Sequence, residues 1–114
     1  MARAKVPNPL ERRHVIERSL TEAQALRIAE GYLEEGRVMD ALDFLEKAGA
    51  SEQLSALRRQ AVEAGDAFLL RSVAAAMSEP PATEEWEALA IAASAAGMDR
   101  YADDARRQAD RGED

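Results

Sequence analysis

The sequence predicts an all-α protein: three antiparallel helical hairpins stacked as a short solenoid, preceded by a short N-terminal helix. Three observations lead there. Apolar residues recur three or four positions apart along most of the chain, the period of a helix with one buried face. β-Branched residues are few and no alternating strand pattern occurs. Gly36, Gly65 and Gly97 each follow the last residue of an apolar stripe, 29 and 32 positions apart, where a residue without a Cβ can turn the chain left-handed and end a helix.

Residues 1 to 7 read as a flexible basic arm. Asn8-Pro9-Leu10-Glu11 starts a helix, with Asn as cap, Pro in the first turn and Glu reaching back. Leu10, Val15, Ile16 and Leu20 give that helix a narrow apolar stripe, suited to covering one end of a stack. The first hairpin spans about 20 to 49. It opens on one of two overlapping capping boxes, Ser19 with Glu22 or Thr21 with Gln24. Ala25, Ile28, Ala29, Tyr32 and Leu33 form its first stripe, and Val38, Ala41, Leu42, Leu45 and Ala48 form its second. The short connection at Gly36 makes the two helices antiparallel neighbours.

The second hairpin, 51 to 78, is capped by Ser51 and carries Leu54, Leu57, Ala61 and Val62 on its first helix. Asp66 caps the partner helix Ala67–Met77, which is apolar almost all round. Such a helix is buried on several sides or forms an interface, and the middle of a stack is the expected place for it. Pro80-Pro81 stops helical continuation. The third hairpin, 83 to 110, starts at Thr83, with Glu84 and Glu85 complementing the macrodipole. Trp86 is expected as a core anchor. The last helix places Met98, Tyr101, Ala102, Ala105 and Ala109 on one side and charged residues on the other, as a terminal repeat needs. Residues 111 to 114 are expected to fray.

Ala25-x-x-Ile28-Ala29-x-x-Tyr32, then Gly36, Ala41-x-x-x-Leu45 and Ala48, resembles the tetratricopeptide repeat. Trp86-x-x-Leu89-Ala90, Gly97, Ala102 and Ala109 keep the same offsets, and Leu54, Leu57, Ala61, Gly65 and Leu70 fit the middle unit. The departures are Ala25 for Trp, Gln53 for the closing Pro, Arg58 in a small-residue slot, Ala93 for Tyr and Arg106 for Phe. The resemblance covers about residues 22 to 109. It implies a concave groove lined by the first helix of each hairpin: Leu26, Glu30, Leu33 and Glu34, then Ser55, Arg59, Val62 and Glu63, then Glu87, Ile91 and Ser94. The lysine and asparagine clamp with which some members hold a C-terminal carboxylate is absent, since Leu26 and Glu30 stand at the matching positions.

Composition narrows the chemistry. The 114 residues suffice for one domain, 8 to 110, with a modest core. No cysteine is present, which removes disulfides, thiolate metal sites and cysteine nucleophiles. His14 is the single histidine, so a serine–histidine–aspartate triad cannot form within one chain. Glu11-Arg12-Arg13-His14 has the Glu-x-x-His spacing of di-iron bundles, but those sites need a second such motif and two further glutamates. Glu34-Glu35, Glu84-Glu85 and Asp103-Asp104 are adjacent on helices and diverge. No enzyme, catalytic residue, cofactor or metal is therefore expected.

No apolar run reaches the roughly 20 residues of a membrane span, and the start of the chain lacks an apolar signal core, which predicts a cytoplasmic protein. The net charge of −7 divides unevenly: Arg3, Lys5, Arg12, Arg13 and Arg18 against Glu11 and Glu17 give +3 over the first 20 residues and leave −10 elsewhere. An acidic body repels phosphate backbones and favours basic partners or plain solubility. The expected function is a non-enzymatic adaptor or scaffold, a monomer or weak homo-oligomer, that holds a basic or amphipathic protein segment in an acidic groove. The alternative is an accessory or assembly subunit packing on another chain through Ala67–Met77 or the N-terminal arm. Nucleic-acid or membrane contact through the basic arm ranks below both.

Overall fold

The computed structural model describes residues 21–112, which form six α-helices and, among these residues, no strand. They are α1 (Glu22–Glu34), α2 (Val38–Ala48), α3 (Ser51–Ala64), α4 (Ala67–Met77), α5 (Thr83–Ala95) and α6 (Asp99–Gly112). The expected arm and N-terminal helix lie outside the described residues. So does the end of the expected tail, whereas Arg111 and Gly112 continue α6. The chain divides into two units, Met1–Gln53 and Leu54–Asp114.

One device ends five of the helices. At Gly36, Gly49, Gly65, Ser78 and Gly97 the chain turns left-handed, with φ between 55° and 77°. Each turn closes with the same pair of backbone bonds. At Gly36 the Gly36 N–H donates to the Leu33 carbonyl and the Arg37 N–H to the Tyr32 carbonyl, and the other four repeat the offsets. The helix-end carbonyls are thereby satisfied without side chains. Positions 36 and 65, and again 49 and 78, lie 29 apart, so hinge and connection recur together in the first two hairpins. Ser78, at φ 55°, is the one residue of the five that carries a Cβ in this conformation.

In the first unit α1 and α2 form an antiparallel hairpin. A Cβ built on Gly49, just past the end of α2, would lie 3.9 Å from Glu22 Oε1 at the start of α1. Thr21 accepts from the Gln24 N–H and Gln24 from the Thr21 N–H, so the later of the two capping boxes starts the helix. Ala25, Ala29, Tyr32, Ala41, Leu42, Phe44, Leu45 and Ala48 are buried, and Gly31 with them. Ile28, Leu33 and Val38 are only half-buried. Phe44, absent from the expected stripe, is fully buried and stacks on Tyr32 with ring centroids 5.7 Å apart. Arg37 lies over the Tyr32 ring at 4.8 Å and pairs with Asp40 at 2.9 Å.

In the second unit like helices lie beside like. Arg58 of α3 bonds Glu85 of α5, and a Cβ on Gly65 would sit 2.8 Å from the Ala93 backbone. The offsets, 27 and 28 positions, keep one sense along both helices, so α3 and α5 run parallel in direct contact. Backbone approach of that kind makes them neighbours, not diagonal members of a closed four-helix bundle. Likewise Arg71 of α4 bonds Asp104 of α6 at 2.9 Å. At these points of the two hairpins first helix meets first and second meets second, an arrangement compatible with a helical repeat. Ala61, Ala67, Leu70, Trp86, Leu89, Ala90, Ala105 and Ala109 form their shared core, and Val73 and Ala74 of α4 are also buried.

Three positions differ from the sequence expectation. Ser51 is the first residue of α3 and its hydroxyl donates to the Gly49 carbonyl, so it does not cap the helix. Thr83 is the first residue of α5, and the cap position belongs to Ala82, whose N–H donates to Glu85 Oε1 at 2.9 Å. Tyr101, placed by its spacing on the apolar side of α6, is 57% exposed. Asp66 caps α4 as expected, accepting from the Leu69 N–H at 3.0 Å.

Candidate binding surfaces

The first-helix positions singled out from the sequence are placed as follows. In the first unit Glu30 and Glu34 are exposed, while Leu26 and Leu33 are half-buried. On α3, Ser55, Arg59 and Glu63 are exposed along one face, but Val62 packs against the core of the second unit and has little left to offer a ligand. On α5, Glu87, Ile91 and Ser94 all face outward, spaced four and three apart.

Ile91 is the most exposed large apolar side chain among the described residues, at 71%. Around it on the same face stand Glu84, Glu87, Ala88, Ser94 and Ala95, every one exposed. The inward face of α5, with Trp86, Leu89, Ala90 and Ala93, is apolar too. The helix is therefore apolar on both faces over its second half and acidic over its first turns. A solvent-facing surface helix ordinarily concentrates its apolar residues on one stripe.

A second surface lies at the hinge end of the second unit. Phe68 of α4 is 68% exposed and Tyr101 of α6 is 57% exposed. They flank a concavity of about 320 Å³ completed by Ala64, Gly65, Asp66, Ala67 and Met98. Phe68 and Tyr101 are 33 positions apart, as are Arg71 and Asp104 one turn further along. The two pairs therefore share one register between α4 and α6. Arg71 is held twice, since it also lies over the Trp86 ring at 5.2 Å.

Arg58 is the most densely bonded side chain in this unit. Its five N–H donors have five acceptors: both oxygens of Glu85, the Glu79 and Pro80 carbonyls at 2.9 and 3.2 Å, and the Met77 sulfur at 3.7 Å. The hydrogen bonds to Glu85 raise the Arg58 pKa, and the reciprocal bonds hold Glu85 below its ordinary value of 4.5. Shifted groups often mark catalytic sites. Here each shift is owed first to the partner, and no donor of the pair is left over for a substrate. The pair ties α3 to the connection between α4 and α5. The sequence held its signal, an arginine in a slot that the repeat pattern reserves for a small residue.

Among the described residues no group of three or more His, Asp or Glu is placed to hold a metal ion, and no helix is long and apolar enough to cross a membrane. The Glu11-to-His14 spacing falls outside the described residues. Comparison of the chain with protein-family models, curated proteins and solved structures gives no match.

Proposed function

We propose that this chain is a non-enzymatic protein-binding module of tetratricopeptide-like hairpins, an adaptor that holds a basic or amphipathic segment of another protein against the outward faces of its first helices. The parallel register of α3 with α5 and of α4 with α6 supports the repeat reading. The observation that carries the binding reading is Ile91, 71% exposed beside Glu84 and Glu87 on one face of α5. An isolated aliphatic beside carboxylates complements a helix that presents leucines on one edge and lysines on the next. Ser55, Arg59 and Glu63 of α3, and Glu30 and Glu34 of α1, are the further polar positions of the same kind.

The test is titration of the full chain with an acetylated, amidated amphipathic peptide of leucine and lysine, followed by fluorescence anisotropy. Glu87→Lys and Ile91→Asp each weaken binding while the melting temperature stays within about 2 °C, because exposed positions contribute little to stability. Sedimentation of the free protein addresses the accessory-subunit alternative. A mass that rises with concentration over the micromolar range favours self-association through an apolar face, and a constant mass favours the adaptor.

A further inference from the structure

We propose that the concavity between Phe68 and Tyr101 is a socket for a lysine or arginine side chain of a partner protein. The inference rests on the reading above only for the basic character of the partner, since this surface is distinct from the outward face of α5. Both rings are more than half exposed, and among the described residues neither stacks on another ring or carries a cation over its face. This contrasts with Tyr32 and Trp86, each covered by an arginine. Two uncovered aromatic faces beside a methionine suit the methylene stem of a long cationic side chain, whose charged head is attracted by the ring faces.

The sign of the charge is decided by Asp66. It is the one ionised residue of the lining. One of its oxygens accepts from the Leu69 N–H at 3.0 Å, and no ion pair engages the carboxylate among the described residues. The C-terminal end of α3 and the N-terminal ends of α4 and α6 meet in this lining, and at about half a charge each their sum is smaller than the charge of one carboxylate. What remains is a negative group at the edge of an apolar hollow of about 320 Å³. That combination disfavours an acidic or purely aliphatic occupant. It matches a cation carried on an apolar stem.

The test uses the full chain, ¹⁵N-labelled, titrated with the same leucine–lysine peptide and with a version carrying glutamine in place of lysine. The amides of Gly65, Phe68 and Tyr101 are expected to shift with the lysine peptide. Phe68→Ala and Tyr101→Ala are each expected to weaken binding roughly threefold to thirtyfold. Tyr101→Phe keeps the ring and keeps binding. Asp66→Asn preserves the helix cap, because asparagine caps as well as aspartate, yet loses affinity with the charge. Circular dichroism verifies that each variant is folded. Equal binding of the glutamine peptide, or unchanged affinity in Asp66→Asn, overturns the proposal. So do shifts that follow protein concentration without peptide, which would make a second copy the occupant. Shifts at Glu87 and Ile91 with none at Phe68 and Tyr101 overturn the socket and leave the α5 face standing, and the converse pattern removes the α5 face alone.

Discussion

Arg58 and Glu85 meet fork to fork, Nε to Oε2 at 2.6 Å and Nη2 to Oε1 at 2.7 Å, across 27 positions of sequence. The Arg58 and Glu85 side chains are 12% and 27% exposed, so the pair is partly withdrawn from water. Removing one leaves the other poorly solvated, which costs more than the pair contributes. Arg58→Ala is expected to lower unfolding free energy by about 2–4 kcal/mol. Arg58→Lys should recover less than half, since an ammonium cannot bond two carboxylate oxygens and two carbonyls in one plane. Urea denaturation of the three proteins measures both.

The same pair sets a pH dependence. Glu85 is held below its ordinary pKa, first by the hydrogen bonds from Arg58. Its contribution is therefore fully present above the unfolded-state value and is lost as pH falls through the lower folded value. The stability gap between the wild type and Glu85→Gln should be constant near neutrality and should narrow between about pH 5 and pH 3. The Arg58 pKa is raised, first by its hydrogen bonds to Glu85, and so acts only at strongly alkaline pH, beyond the range in which the fold would be studied. Denaturation curves at several pH values check the direction.

Two hinge glycines separate backbone strain from crowding. Gly36 has φ +74° with nothing within 4 Å of a built Cβ, whereas at Gly65 the Cβ would lie 2.8 Å from the Ala93 backbone. Gly36→Ala should cost about 1–2 kcal/mol, the left-handed penalty alone. Gly65→Ala adds overpacking and should cost about 2–5 kcal/mol. Ser78 already bears that penalty at φ 55°, so Ser78→Gly should stabilise by about 0.5–1 kcal/mol. Thermal and urea melts of the three variants rank them.

Phe44 is fully buried against Tyr32. Phe44→Ala should destabilise by about 3–5 kcal/mol, and Phe44→Leu by appreciably less, because most of the apolar volume is retained. Near-ultraviolet circular dichroism should also lose a tyrosine signal in both, since the Tyr32 ring loses its stacked neighbour.

Much of the fold was legible in the chain because helix period and hinge chemistry are local. The glycines at 36, 65 and 97 each turn left-handed where the stripes stop, and every residue expected on the inner face of α5 is buried. What escaped depends on neighbours distant in sequence. Phe44 lies beside the expected stripe of α2 and is drawn in by Tyr32. Tyr101 has the spacing of a core residue but is exposed, at the rim of the concavity that Phe68 and Met98 also line. Ser78 turns left-handed without glycine because Pro80 and Pro81 end the helical run and Arg58 holds the two carbonyls that follow. Among the positions put forward for binding, exposure follows helical spacing except at Leu26, Leu33 and Val62, which are half-buried, the last packed against the core of its unit.

The adaptor proposal stands or falls on the outward face of α5. Anisotropy titration with the leucine–lysine peptide should give micromolar binding to the wild type and at least about tenfold weaker binding to the double variant Glu87→Lys, Ile91→Asp. Equal affinity for both proteins, or equally tight binding of a leucine–glutamate peptide, would contradict it.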